Sequence, residues 1–235
     1  MSLNRGDFIL VNFTAKVKDT EEIIDTTIED VAKEGKIYQE NKVYGPRLII
    51  IGEGQLLKKL EEEILSMNVG DRKIIELKPE EAFGYRDPSK VRIIPARELT
   101  SKGITPKTGT RIETDEGVAI VRSIGGGRVV IDLNHPLAGK TLVYDVHIIK
   151  KIEEENEKIL LLIQRRLPSV DVSKFNIAIN NGTLVIRIPA EIYLLEGLQY
   201  IKRGIVNDIE RFFKNIRKVE IVETYEIKHE NREEK

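Results

Sequence analysis

Hydrophobic and polar residues alternate from the start of the chain. Val11, Phe13, Ala15 and Val17 recur at period two within Phe8–Val17, which predicts a half-buried strand. A polar turn, Lys18 to Glu22, leads into the β-branched run Ile23-Ile24-Asp25-Thr26-Thr27, the expected return strand of an antiparallel hairpin. Ile28 to Glu34 suits a brief helix that Gly35 ends, and Leu48 to Ile51 suits a strand stopped by Gly52-Glu53-Gly54. Leu56, Leu57, Leu60, Ile64 and Leu65 then fall at helical spacing. After the Gly70-Asp71 turn, Arg72 to Leu77 alternates again as a strand.

The texture changes between Pro88 and Leu133. Short β-branched pieces (Arg111–Thr114, Val118–Val121, Val129–Ile131) are separated by glycine-rich turns, which predicts a small all-β unit. Alternation returns in Leu142–Ile149, with Leu142, Tyr144, Val146 and Ile148 on one side, a strand suited to completing the sheet begun at Phe8. That order implies a split domain, 1–87 and 134–152, with an insertion at 88–133. A third unit, 153–235, is predicted as α+β. Glu153 to Leu167 is an amphipathic helix stopped by Pro168, and Phe175–Ile179 and Leu184–Ile188 flank the hairpin signal Asn180-Asn181-Gly182. Ala190 to Lys214 carries apolar residues every three or four positions, as one long helix would, and Lys218 to Lys228 reads as a closing strand. The end, Glu230 to Lys235, is expected to fray.

Composition narrows the function. Within 235 residues, 38 Lys and Arg balance 39 Asp and Glu, so no excess positive charge exists to hold a phosphate backbone or an anionic membrane, and neither nucleic acid nor a membrane is expected as partner. The absence of cysteine excludes disulfides and thiolate chemistry and suits a reducing compartment. No basic, apolar leader opens the chain, and no run approaches the ~20 apolar residues that span a bilayer, so a cytoplasmic location is expected. The richness in charge, with two Met, resembles proteins of hot environments.

No catalytic constellation stands out from residue types alone. His135, His147 and His229 are scattered, no metal-ligand spacing is present, and Gly125-Gly126-Gly127 lacks the context of a phosphate loop and reads as a hairpin turn. Neither a cofactor nor a metal is expected. What does stand out is a series in order: Asp25 after the first hairpin, Gly52-Glu53-Gly54-Gln55-Leu56-Leu57, Val69-Gly70-Asp71, Glu81-Ala82-Phe83-Gly84-Tyr85, and Asn134-His135-Pro136-Leu137-Ala138-Gly139 leading into Thr141–Val146. This series resembles the FKBP family of peptidyl-prolyl cis/trans isomerases, in particular its SlyD-like and archaeal long forms, over about residues 6–152.

The resemblance implies an FKBP-like twisted antiparallel sheet around a short helix, with an apolar proline pocket lined by Phe13, Asp25, Leu56, Leu57, Leu60, Phe83 and Tyr144. Such a pocket needs no nucleophile. Rotation about an X-Pro bond crosses ~18–20 kcal/mol because the twisted amide loses conjugation, and a water-poor cage favours that less polar state. Ordinary core packing accounts equally for the apolar members of this set, and Asp25 reads either as a turn carboxylate or as a pocket group accepting a tyrosine hydroxyl. His135 reads as a turn-closing residue. Phe13 and Phe83 stand where the family most often has tyrosine, which removes two hydroxyls. Arg47 falls where an aromatic residue or leucine is usual: either the register slips by one or the pocket mouth is charged.

The insertion matches the family's insert-in-flap domain in position and size, which implies a chaperone-like surface for unfolded chains; Ile93, Ile94, Val118, Ile120 and Ile124 are its candidate contacts, or else its core. The C-terminal unit is similar to an extra domain of long archaeal members associated with dimerisation, for which the 153–167 helix is a candidate face if its apolar side is not spent on intradomain packing. The expected function is therefore proline isomerisation and folding assistance on proline-containing or unfolded clients. A holdase or adaptor with a vestigial pocket is the alternative.

Overall fold

A computed structural model of the chain describes residues 2–227. His229, Lys228 and the tail Glu230–Lys235 lie outside the described residues. The first sheet is built on β1 (Phe8–Val17), whose odd-numbered side chains face one core. One edge of β1 is shared by two short strands after the hairpin turn, β2 (Ile23–Thr26) at its C-terminal half and, beyond the helix α1 (Glu29–Glu34), β3 (Arg47–Ile50) at its N-terminal half. Helix α2 (Lys58–Leu65) follows, buries Leu60 and Ile64, and leads to β4 (Arg72–Leu77).

The insertion forms its own antiparallel sheet from β5 (Val91–Pro95), β6 (Arg111–Thr114), β7 (Gly117–Gly125) and β8 (Arg128–Asp132), in the order β5-β8-β7-β6. It also carries a helix, α3 (Ala96–Ser101), that the β-branched texture did not predict. Ala96-Arg97-Glu98-Leu99 favours helix after Pro95, and Leu99 packs on Val121, Val129 and Ile131. The Gly125–Gly127 run makes the β7–β8 turn, with Gly126 and Gly127 in the left-handed region.

Strand β9 (Leu142–Ile152) returns to the first sheet between β1 and β4, pairing with β1 from Phe8↔Ile152 to Val17↔Leu142. The last unit packs α4 (Glu155–Arg166) and α5 (Leu198–Phe212) on a sheet of β10 (Asn176–Asn180), β11 (Thr183–Arg187) and β12 (Lys218–Val222). Asn181 and Gly182 both take positive φ in the tight β10–β11 turn, as the Asn-Gly signal predicts. The single helix expected over 190–214 is broken. A 3-10 turn at Ala190–Ile192 is followed by Gly197 at φ +76°, and only Leu198–Phe212 is α-helical.

Two faces of the first sheet are used differently. The odd-numbered face of β1 packs α2. On the other face Phe8, Leu48, Ile50 and Ile152 join the core of the C-terminal unit, where Phe8 meets Phe212 edge-on at 5.5 Å between ring centres. The apolar side of α4 (Ile159, Leu162, Ile163) is fully buried in that core, so this face is not free for a second subunit.

Candidate active site

Alternation along β1 and β9 places Val11 and Phe13 beside Tyr144 and Val146 on the face that α2 covers. Ile49 of β3, with Leu56, Leu60 and Ile64 around α2, completes a cavity of about 20 Å³, room for roughly one water. The rings of Phe13 and Tyr144 lie 6.2 Å apart. A prolyl ring therefore enters only as the walls part.

Of the residues expected in the pocket, Phe13, Leu56, Leu60 and Tyr144 are brought together at this cavity. Leu57 and Phe83 pack against the same core without lining it. Val11, Ile49, Ile64 and Val146 were not anticipated. Each is a same-face neighbour of a residue that was considered: Val11 two before Phe13, Val146 two after Tyr144, Ile49 two after Arg47, Ile64 one helical turn after Leu60. Strand and helix periods alone could have found them.

Asp25 does not line the cavity, and its partners are cations rather than a tyrosine hydroxyl. Lys42 Nζ donates to it at 2.7 Å and Arg47 Nη1 at 3.2 Å. Burial pushes its carboxyl up, but these two cations outweigh burial and hold it below the usual carboxylate range. Arg47 pairs with Val11 across β3, and its guanidinium lies 4.8 Å from the centre of the Phe13 ring. Arg47 thus puts a charge over the Phe13 wall, and Ile49 lines the cavity itself.

Tyr144 is half-buried. Burial first, then the charge of Asp25, raises its hydroxyl above the ordinary tyrosine value, so it stays protonated at neutral pH. None of the hydrogen bonds among the described residues occupies that hydroxyl, which leaves a donor at the rim of an apolar cage.

The Asn-His motif fastens the two ends of the insertion. Asn134 Oδ1 accepts from the Asp87 backbone N–H at 2.9 Å, and its Nδ2 donates to Asp87 O at 2.9 Å and to Asp132 Oδ1 at 2.8 Å. The Asp132 side chain is fully buried, with Arg86 and Arg122 both on Oδ2. His135 Nδ1 accepts from the Leu137 N–H at 3.2 Å, and the ring stacks on Phe83 at 4.0 Å, a turn-closing arrangement.

On the insertion, Ile93, Val118 and Ile120 share the outer face of the sheet with Val130. Ile93 is 64% exposed and Val118 58%. Ile94 and Ile124 belong by register to the opposite face; Ile94 packs on the insertion's own core, and Ile124 is 44% exposed at its rim. Among the described residues no group of three or more His, Cys, Asp or Glu could hold a metal ion, and no helix is long and apolar enough to cross a membrane.

Two family models and several known isomerases match parts of the chain. Residues 92–137 match the family model "FKBP26, IF domain" and residues 155–226 match "FKBP26_C-terminal". A short-type peptidyl-prolyl cis-trans isomerase of Methanocaldococcus jannaschii is 33% identical over 146 residues, covering 62% of this chain and 92% of that one. The FKBP-type 16 kDa peptidyl-prolyl cis-trans isomerase of Escherichia coli is 30% identical, over 63% of this chain and 93% of that one. The isomerase SlyD of Helicobacter pylori is 30% identical over 49% of this chain and 64% of its own length. With its twisted antiparallel sheet around α2, its apolar cavity and these relatives, the chain belongs to the FKBP-type peptidyl-prolyl cis-trans isomerases, in their SlyD-like form.

Proposed function

We propose that this chain catalyses cis/trans rotation of X-Pro bonds in unfolded client polypeptides in the cytoplasm, and that residues 88–133 act as a client-holding domain beside the pocket. The observation that carries this reading is the wholly apolar cavity between β1, β9 and α2 with an unoccupied, protonated Tyr144 hydroxyl at its rim. The cage favours the twisted amide, whose charge separation is reduced, and the hydroxyl can donate to the rotated carbonyl. Phe13, Leu56, Leu60 and Tyr144 are the catalytic contacts, Leu57 and Phe83 support them from the surrounding core, and Asp25 sets the charge of the mouth. No covalent intermediate is needed.

Exposed Ile93 and Val118, with Ile120 and Val130, supply an apolar stripe on the insertion, and Ile124 extends the apolar surface at its rim. Tethering a client there raises the concentration of its prolines near the cavity without new chemistry. If the protein is a homodimer through its C-terminal domain, exposed Leu194 and Tyr200 are better contacts than the buried side of α4.

Three observations favour a holdase with a weakened pocket: the cavity is small, Arg47 lies over Phe13, and Phe13 and Phe83 lack hydroxyls. Refolding of a proline-limited, disulfide-free protein separates the readings, because uncatalysed slow phases last tens of seconds. The intact chain should accelerate that phase, the Asp25→Ala plus Tyr144→Ala form should not, and a chain lacking 88–133 should lose potency on proteins more than on short peptides. An intact chain that suppresses aggregation but leaves the slow phase unchanged would refute isomerase activity.

A further inference from the structure

A second, larger depression adjoins the candidate pocket. A groove of about 390 Å³, within the range of ligand sites, runs between the loop that precedes β3 and the C-terminal half of α4. Its floor is apolar, formed by Leu10, Leu48 and Leu161, and its rim carries Lys42, Arg47 and Arg165. Arg47 borders both depressions: its guanidinium lies over Phe13 on the α2 face, and the residue is also part of the groove lining at the start of β3. The groove exists only because the C-terminal unit packs against this sheet.

Three features define what fits it. The charge is positive: the lining carries three cations, Lys42 and Arg47 sharing Asp25 and Arg165 paired with Asp208, against those two carboxylates. The lining itself contains no acidic residue. Finally, β3, whose Arg47 and Leu48 are in the lining, pairs with β1 alone among the described residues, and a free strand edge suits an extended polypeptide.

We propose that this groove is a subsite for the stretch of client chain flanking the isomerised proline, and that it selects segments in which an acidic side chain accompanies an apolar one. The apolar side chain lies on Leu10, Leu48 and Leu161, and the carboxylate meets the rim cations. The inference rests on the isomerase reading and assigns the C-terminal unit a part in client selection.

The test is binding of fluorescent ten-residue peptides to the full chain by anisotropy, together with their isomerisation rates. Each peptide has one central proline and either a Leu-Glu or a Leu-Lys pair, placed before or after it. One of the two Leu-Glu peptides should bind roughly five- to tenfold more tightly than its Leu-Lys counterpart, as expected of a few partly exposed ionic contacts, and the ratio should fall at high salt. Arg165→Glu should abolish or reverse the preference. Its fold should persist, because Arg166 holds Asp208 through two bonds of 2.9 Å. Lys214→Glu, just beyond the C-terminal end of α5 and outside the groove lining, controls for overall charge and should leave the ratio as it was. Equal affinities in both placements, or a preference that survives Arg165→Glu, overturn the subsite. Selective binding without turnover of any peptide would overturn the isomerase reading and leave the groove standing.

Discussion

The attachment of the insertion can be tested at Asp132, whose two carboxylate oxygens do separate work. Oδ1 accepts from the Asn134 backbone N–H at 3.0 Å and from Asn134 Nδ2 at 2.8 Å, whereas Oδ2 accepts from Arg86 and Arg122. Asp132→Asn keeps an acceptor for Asn134 and removes only the ionic half. Arg86 and Arg122 have side chains 49% and 41% exposed and can turn to water, so this half should cost about 1–2 kcal/mol. Asp132→Ala also strands the buried Asn134 N–H, while Nδ2 retains Asp87 O; the total then rises to about 3–5 kcal/mol, as for a broken buried pair. Hydrogen exchange of the amides in β5, β7 and β8 reads the local opening directly. Exchange should accelerate about 5- to 30-fold in Asp132→Asn and by more than roughly a hundredfold in Asp132→Ala, with smaller changes in β1 and β9. If the two variants behave alike, the division of labour between the oxygens is wrong. If neither accelerates exchange, Asp132 does not fasten the insertion.

Three further outcomes follow from the same geometry. Tyr144→Phe keeps the ring in the cavity wall and removes a hydroxyl without a protein partner, so stability should change by less than about 0.5 kcal/mol while peptide isomerisation falls several-fold; unchanged turnover would remove the hydroxyl from the mechanism. Joint replacement of exposed Ile93 and Val118 by Ser should weaken suppression of client aggregation without slowing a short prolyl peptide, and light scattering against peptide kinetics would reveal the opposite pattern. Hydrogen bonds from Lys59 and then Lys73 lower the Glu63 carboxyl from 4.5 to about 2. Because its folded value lies below the unfolded one, its contribution is full above about pH 4.5 and fades as pH falls toward 2. Acid titration of Glu63→Gln should therefore show a shallower loss of stability over that window than the unaltered chain; parallel curves would contradict it.

How much of this was legible in the chain depends on how local the cause is. The alternation of Val11, Phe13, Ala15 and Val17 and of Leu142, Tyr144, Val146 and Ile148 anticipated two strands that do lie side by side, because period two expresses one buried face. Asn180-Asn181-Gly182 anticipated its turn because positive φ is a property of those residues themselves. The long helix over 190–214 was misread for the converse reason. Apolar spacing continues through Leu195 and Leu198, but Gly197 adopts the left-handed region and Leu194 is left 99% exposed, so a periodic pattern persisted where the backbone did not follow it. At the cavity, family motifs and periodicity together anticipated Phe13, Leu56, Leu60 and Tyr144 among the lining residues. They could not say where Arg47 points, since a strand residue at the end of an alternation is equally free to face solvent or to lie over a neighbouring ring. Its direction depends on Phe13, Asp25 and Lys42, which come from three separate segments. The groove beyond it is less local still: Leu10 and Arg47 lie on paired strands, but Arg165 joins them only through the docking of the C-terminal unit on β1 and β3. A groove of that kind leaves no motif, because its residues meet only in the assembled fold.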